Sequence, residues 1–188
     1  MRTLAIVLAM LATACSLGSG VKENYYVLSG PEGAAPADSP GALAIYVGPV
    51  AVPESVDRSA MVLQSSANQV DLSDEHRWAE PVKTAIPRVI AENLMRLLNT
   101  PRVMASRSGP VTDADYRVAL DVQRFESSLS QGATIEVLWT VTGKRAKAPI
   151  TGRSSVREPA ASPTPEGVAA AHSRALARVA QDIAAALK

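Results

Sequence analysis

The chain has 188 residues, the length of one domain, and its 47% hydrophobic content lies far above that of a disordered chain. Nineteen basic against eighteen acidic residues give a net charge of +1, which excludes a nucleic-acid binder driven by bulk phosphate attraction. One cysteine and two histidines exclude an internal disulfide and the usual four-ligand Cys/His zinc cluster, and 4% aromatic content leaves the core to Val, Leu, Ile and Ala.

The N-terminus reads as a targeting segment. Arg2 precedes an unbroken apolar run from Leu4 to Leu11, and Ala12-Thr13-Ala14 places small residues before a cleavage point. This charge, apolar, small order is that of a secretory signal peptide. The run is too short to span ~30 Å of hydrocarbon. Cys15 follows directly, then the small residues Ser16 to Gly20. The arrangement resembles the lipobox of bacterial lipoproteins, with Ala12 standing where that pattern prefers Leu. The likeness implies that residues 1–14 are removed and Cys15 is acylated. With Ser16 rather than Asp after the cysteine, it also implies export to the outer membrane. Ordinary secretion with a free thiol is the alternative, although a lone thiol is a liability in an oxidising compartment. The expected organisation is a signal peptide over 1–14, a lipidated cysteine and flexible tether over 15–23, and a single domain over 24–188. Loss of Arg2 leaves eighteen basic and eighteen acidic residues, so lipid rather than charge would do the anchoring.

Asn24 to Leu28 is a short β-branched and aromatic run that predicts an opening strand. Ser29 to Gly41 is rich in Pro, Gly and Ala and predicts a loop. A second strand is expected over Leu43–Val52, where Gly48-Pro49 favours an edge, a bend or a bulge. Met61–Gln64 predicts a third strand, and Asn68–Leu72 a weaker hairpin partner across Ser65-Ser66-Ala67.

Pro81–Leu98 has helical periodicity, with Val82, Ile86, Val89, Ile90, Leu94, Leu97 and Leu98 on one face. Arg88, Glu92 and Arg96 follow one another at i,i+4 on the other face. Pro81 suits the first helical turn, whereas Pro87 predicts a kink or a start delayed to about that residue. Arg102–Ala105 predicts a short strand. Asp115–Glu126 alternates Tyr116, Val118, Leu120 and Val122 inward until Phe125 breaks the pattern, which predicts a bulge or a change of face. A hairpin loop, Ser128 to Gly132, leads to a strand over Thr134–Thr142, and Ile150–Val156 predicts the last one. Thr164-Pro165-Glu166 then has the order cap, first helical residue, first-turn acid. The helix it opens would bury Val168, Leu176, Val179, Ala180, Ile183 and Leu187. The expected class is α+β, a mostly antiparallel sheet with two helices packed on one face, preceded by the signal peptide and tether.

The polar run Asp71, Asp74, Glu75, His76, Arg77 and Glu80 invites a catalytic or metal reading. His172 is the one other histidine, and no HxxxH, HExxH, GxSxG or phosphate-loop pattern supports it. No catalytic, cofactor-binding or metal residue is expected, and the run reads as a solvated turn entering the helix. Trp78 suits a staple between helix entrance and sheet, or else a binding hot spot.

Three blocks carry a family likeness. They are Ile45-Tyr46-Val47-Gly48-Pro49-Val50; Pro53 with Val56-Asp57-Arg58; and His76-Arg77-Trp78-Ala79-Glu80-Pro81, followed by Arg88-Val89-Ile90 and Asn93-Leu94. Together with Tyr25-Tyr26-Val27-Leu28, Asp115-Tyr116-Arg117-Val118 and Arg124-Phe125-Glu126, they resemble the PqiC (YmbA-like) family of ABC-type transport auxiliary lipoproteins. Pro87 and Ser55 depart from its pattern. The resemblance implies a non-enzymatic component of an MCE-type intermembrane lipid-transport system, anchored at the periplasmic face of the outer membrane. Its partners would be the membrane, through acylated Cys15, and a PqiB-like MCE-domain protein, with a homo-oligomeric ring as one arrangement. Arg77, Trp78, Glu80, Pro81, Asp57 and Arg58 are the residues marked as partner-facing or structural. Two other readings stay open: a periplasmic carrier holding acyl chains between helix and sheet, and a structural or assembly lipoprotein of another outer-membrane machine.

Overall fold

The computed structural model describes residues 22–38, 42–105 and 113–187. The signal peptide, Cys15 and most of the tether lie outside the described residues.

Among the described residues, eight strands and two helices follow one another. β1 (Asn24–Tyr26), β2 (Ile45–Ala51), β3 (Ala60–Ser66) and β4 (Gln69–Trp78) precede helix α1 (Val82–Leu97). Then come β5 (Val103–Ala105), β6 (Tyr116–Ser128), β7 (Gly132–Thr142), β8 (Ile150–Glu158) and helix α2 (Pro165–Ala186). All strands join one sheet, along the path β1-β4-β3-β6-β2-β5, with β7 and β8 continuing from the other side of β6.

The sheet is mixed, which corrects the mostly antiparallel expectation. β3–β4, β6–β7 and β7–β8 are antiparallel. β1–β4, β2–β5, β2–β6 and β3–β6 are parallel. The physical reason lies in the connections. Strands joined by a short turn return antiparallel, whereas β2 meets β5 and β6 only after the chain has passed through a hairpin and α1.

Alternation sets the faces. Val118, Leu120 and Val122 of β6 pair with Val141, Trp139 and Val137 of β7, and all six are buried. The register slips between Val122 and Arg124, so Phe125 returns to the buried side, as the broken alternation predicted. β2 slips between Val47 and Val50, around Gly48-Pro49. Among the described residues β5 pairs β2 no further than Val47, ahead of Pro49.

Both helices pack together and cover this buried face, joining Ile86, Ile90, Leu94, Leu176, Val179 and Ile183 to the strand residues in one core. α1 runs through Pro87, which is itself buried, and starts at Val82 with Pro81 as its cap rather than within its first turn. Its apolar stripe is interrupted at Leu97, which is exposed, while Leu98 packs partly buried against the core as expected. Thr164 caps α2 as expected, its hydroxyl accepting from the Gly167 N–H at 3.1 Å, with Pro165 first in the helix and Glu166 in the first turn.

The acidic run is not a turn. β4 continues through it to Trp78, and between its pairings at Leu72 and Arg77 it bulges against β3. Asp74 and Glu75 stay in water on that bulge, so the strand accommodates them without burying charge.

Candidate functional site

The block from Arg77 to Pro81 forms a joint between five parts of the fold. Arg77 ends β4 beside Tyr25 of β1 and pairs its guanidinium with Glu23 at 2.7 Å; it also donates to Ser59 Oγ at 3.2 Å. The Trp78 N–H donates to the Ser59 carbonyl at 2.7 Å, which ties the loop carrying Asp57 and Arg58 to this strand end. Asp57 and Arg58 are themselves exposed and hold only the turn, through backbone bonds to Pro53 and Val56. The Trp78 indole is buried, edge-on to Phe125 and to His172, with centroids 5.9 Å away in each case. Trp78 thus packs between β6 and α2.

Glu80 accepts from Arg88 Nε at 3.0 Å. The same guanidinium donates to Glu92 at 3.0 Å and to the Leu28 carbonyl at 2.7 Å. One side chain thus holds the β1 exit, the β4–α1 connection and α1 together. Pro81 caps α1 with its backbone, its carbonyl accepting from the Thr84 and Ala85 N–H groups. Arg77, Trp78, Glu80 and Pro81 are thus brought together around the β4–α1 connection, with Asp57 and Arg58 exposed on the neighbouring loop. Among the described residues, no group of three His, Cys, Asp or Glu side chains could hold a metal ion.

The periodicity gave no sign of His172. It is fully buried on α2, its Nε2 2.8 Å from Ser127 Oγ, and its ring is stacked on Phe125. Burial pushes its pKa down to about 3, so the ring is neutral and packs as an aromatic. His76 is not part of this cluster; its Nδ1 lies 2.9 Å from the Tyr26 hydroxyl. The two histidines do not form a pair.

The helix-free face of the sheet is polar at its centre. Arg124 contacts Glu126 at 2.5 Å and Glu136 at 3.2 Å, and Arg153 contacts Glu136 at 2.6 Å. Hydrogen bonds from Arg153 and then Arg124 hold the Glu136 carboxyl below its usual range. Apolar surface appears on this face at Leu138 of β7, and again at the rim. In β4, Val70 and Leu72 are 54% and 52% exposed, and they share a face with Val62 of β3. Between this hairpin and β6, where β6 has left β2, a groove of about 290 Å³ is lined by Val56, Val62, Val70, Phe125, Arg124 and Glu126. That volume is at the bottom of the ~300–1,000 Å³ range of pockets that enclose a drug-sized ligand. It suits a few side chains of a docked segment and is too small for a diacyl lipid. The Val-Asp-Leu alternation at 70–72 was legible as a strand, but its exposure was not.

Residues 26–184 match the model of a family described as the ABC-type transport auxiliary lipoprotein component. The crystal structure of an uncharacterized protein superposes with a TM-score of 0.72 at 17% identity, covering 89% of this chain and 99% of that one. Protein XCC0632 from Xanthomonas campestris superposes with a TM-score of 0.65 at 19% identity, over 86% of this chain and 92% of its own. At these identities the two structures establish the fold alone. No curated protein matches by sequence.

Proposed function

We propose, from the premise that this chain belongs to the family of ABC-type transport auxiliary lipoproteins, that it is a membrane-tethered docking module without enzymatic activity. In this reading residues 1–14 are cleaved and acylated Cys15 fixes the domain to the periplasmic face of the outer membrane. The β3–β4 rim then holds an MCE-type subunit of an intermembrane lipid-transport system. One observation carries the choice of docking over carrying. The space between helices and sheet is filled by fully buried Ile86, Ile90, Leu94, Ile135, Leu176 and Ile183, while Val70 and Leu72 stand in water at a strand edge. A carrier needs the reverse, an interior with room for an acyl chain.

The rim also suggests what it grips. Asp71, Asp74 and Glu75 lie along the same exposed strand, so an extended segment with basic residues would match it in charge and could add along β4 where β1, which pairs only with His76, Arg77 and Trp78 among the described residues, leaves its edge unpaired.

The test is a pull-down of the full-length acylated protein from detergent-solubilised envelopes, followed by lipid analysis. An MCE-domain protein retained by the native chain, and lost with Val70→Asp plus Leu72→Asp, supports the reading. Equal retention by both, or stoichiometric phospholipid extracted from the purified chain, overturns it.

A further inference from the structure

The other exposed apolar pair of the β1–β4 region has a different setting. Tyr25 and Val27 are 61% and 56% exposed at the very start of the described domain. They flank Tyr26, which turns the other way to meet His76, so alternation places Tyr25 and Val27 on one side of the edge strand. Beside them, across a shallow groove that both side chains line, α2 contributes the exposed Ala170. The charges around the pair balance: Lys22 and Arg77 against Glu23 and Glu166. Tyr25 also holds its hydroxyl against Glu23, which is paired in turn with Arg77. A phenol ring with a wet polar tip, an aliphatic neighbour and no net charge are the attributes of side chains that settle at a lipid–water interface.

The length of chain ahead of this strip names the occupant. Cys15 precedes Tyr25 by ten residues, a reach of at most ~35 Å, and the first described residues run straight into β1. Of the exposed large hydrophobics among the described residues, Tyr25 and Val27 stand closest in sequence to the cysteine. Val70 lies seven residues back along β4 from Arg77, the register partner of Tyr25, or up to roughly 23 Å away. The two apolar patches therefore sit toward opposite ends of β4.

We infer that the Tyr25–Val27 strip rests on the lipid surface and orients the anchored domain, with the β3–β4 hairpin directed away from the membrane. This inference rests on the reading of Cys15 as the acylated residue. Because acylation would consume the chain's one thiol, a cysteine introduced elsewhere can be labelled alone.

Full-length acylated protein carrying Val27→Cys, Leu72→Cys or Leu138→Cys is labelled with a polarity-sensitive fluorophore. It is then bound to vesicles of phosphatidylethanolamine and phosphatidylglycerol, with and without brominated acyl chains. The label at position 27 should shift to the blue and be quenched several-fold more than labels at 72 and 138. Introducing Tyr25→Ser into the chain labelled at 27 should remove most of that difference while the protein still floats with the vesicles. Flotation with equal quenching at all three positions overturns the orientation and leaves the anchor intact. Failure to float overturns the anchor reading and the orientation with it.

Discussion

The imidazole of His172 lies flat on the ring of Phe125, centroids 3.9 Å apart and planes 10° from parallel. Trp78 closes the cluster edge-on and Ser127 takes Nε2, leaving Nδ1 enclosed without a hydrogen-bond partner among the described residues. A proton there would place a charge in a dry, aromatic surround, which is why burial depresses the pKa to about 3. Unfolded chain takes up that proton near pH 6.5 and folded chain does not. Stability is therefore full above 6.5 and falls as pH drops toward 3. At pH 5 the loss from this group is about 2 kcal/mol. Urea unfolding at pH 7.5 and pH 5 should show His172→Phe losing less stability across the interval than the native chain by about that amount. Equal losses would mean the ring is not held neutral.

Arg88 joins α1 to the β4–α1 connection and to the distant β1 exit through Glu92, Glu80 and the Leu28 carbonyl. Substituting Met keeps the stem and removes every bond, leaving the partly buried Glu80 without its cation. A loss of about 1–3 kcal/mol is expected, since hydrogen bonds to charged groups exceed neutral ones. Lys should restore only part, because one ammonium cannot reproduce the guanidinium fork. Denaturant midpoints for Arg88→Met and Arg88→Lys give the order, and hydrogen exchange should show faster opening around Leu28 and Ala79.

Gly152 of β8 faces Trp139 of β7 in register, and a Cβ added there would come within 2.1 Å of the indole Cζ2. The indole cannot swing aside freely, because its Nε1 donates to Ser154 Oγ at 3.1 Å, and that hydroxyl donates to Asp182 of α2 at 2.6 Å. Gly152→Ala should cost about 1–3 kcal/mol by overpacking. Ser154→Ala should cost about as much by stranding the indole N–H. Thermal unfolding with tryptophan fluorescence as the signal reads both.

Val70 and Leu72 make so little contact that charging them should leave stability within about 0.5 kcal/mol of the native value. Val62→Asp, on the same hairpin face but partly buried and packed against the core, should be clearly less stable. Midpoints of the three variants separate a docking surface from a structural one before any partner is examined.

Local order was legible in the residues alone wherever a feature repeats within a few positions. The broken alternation at Phe125 announced the bulge of β6, Thr164-Pro165-Glu166 announced the start of α2, and the RWAEP block announced the family. The first two depend on backbone geometry and side-chain period, which act over one or two turns of chain, and the third on a resemblance of residues to a known family. What the tertiary structure decided acts across long separations. His172 meets Ser127 over 45 positions, Arg88 meets Leu28 over 60, and β2 lies parallel to β6 only because a hairpin and a helix intervene. Exposure belongs to the same class. Val70 and Leu72 look no different from core residues in the sequence, and they are left in water because β3 and β4 project beyond the face that the helices cover.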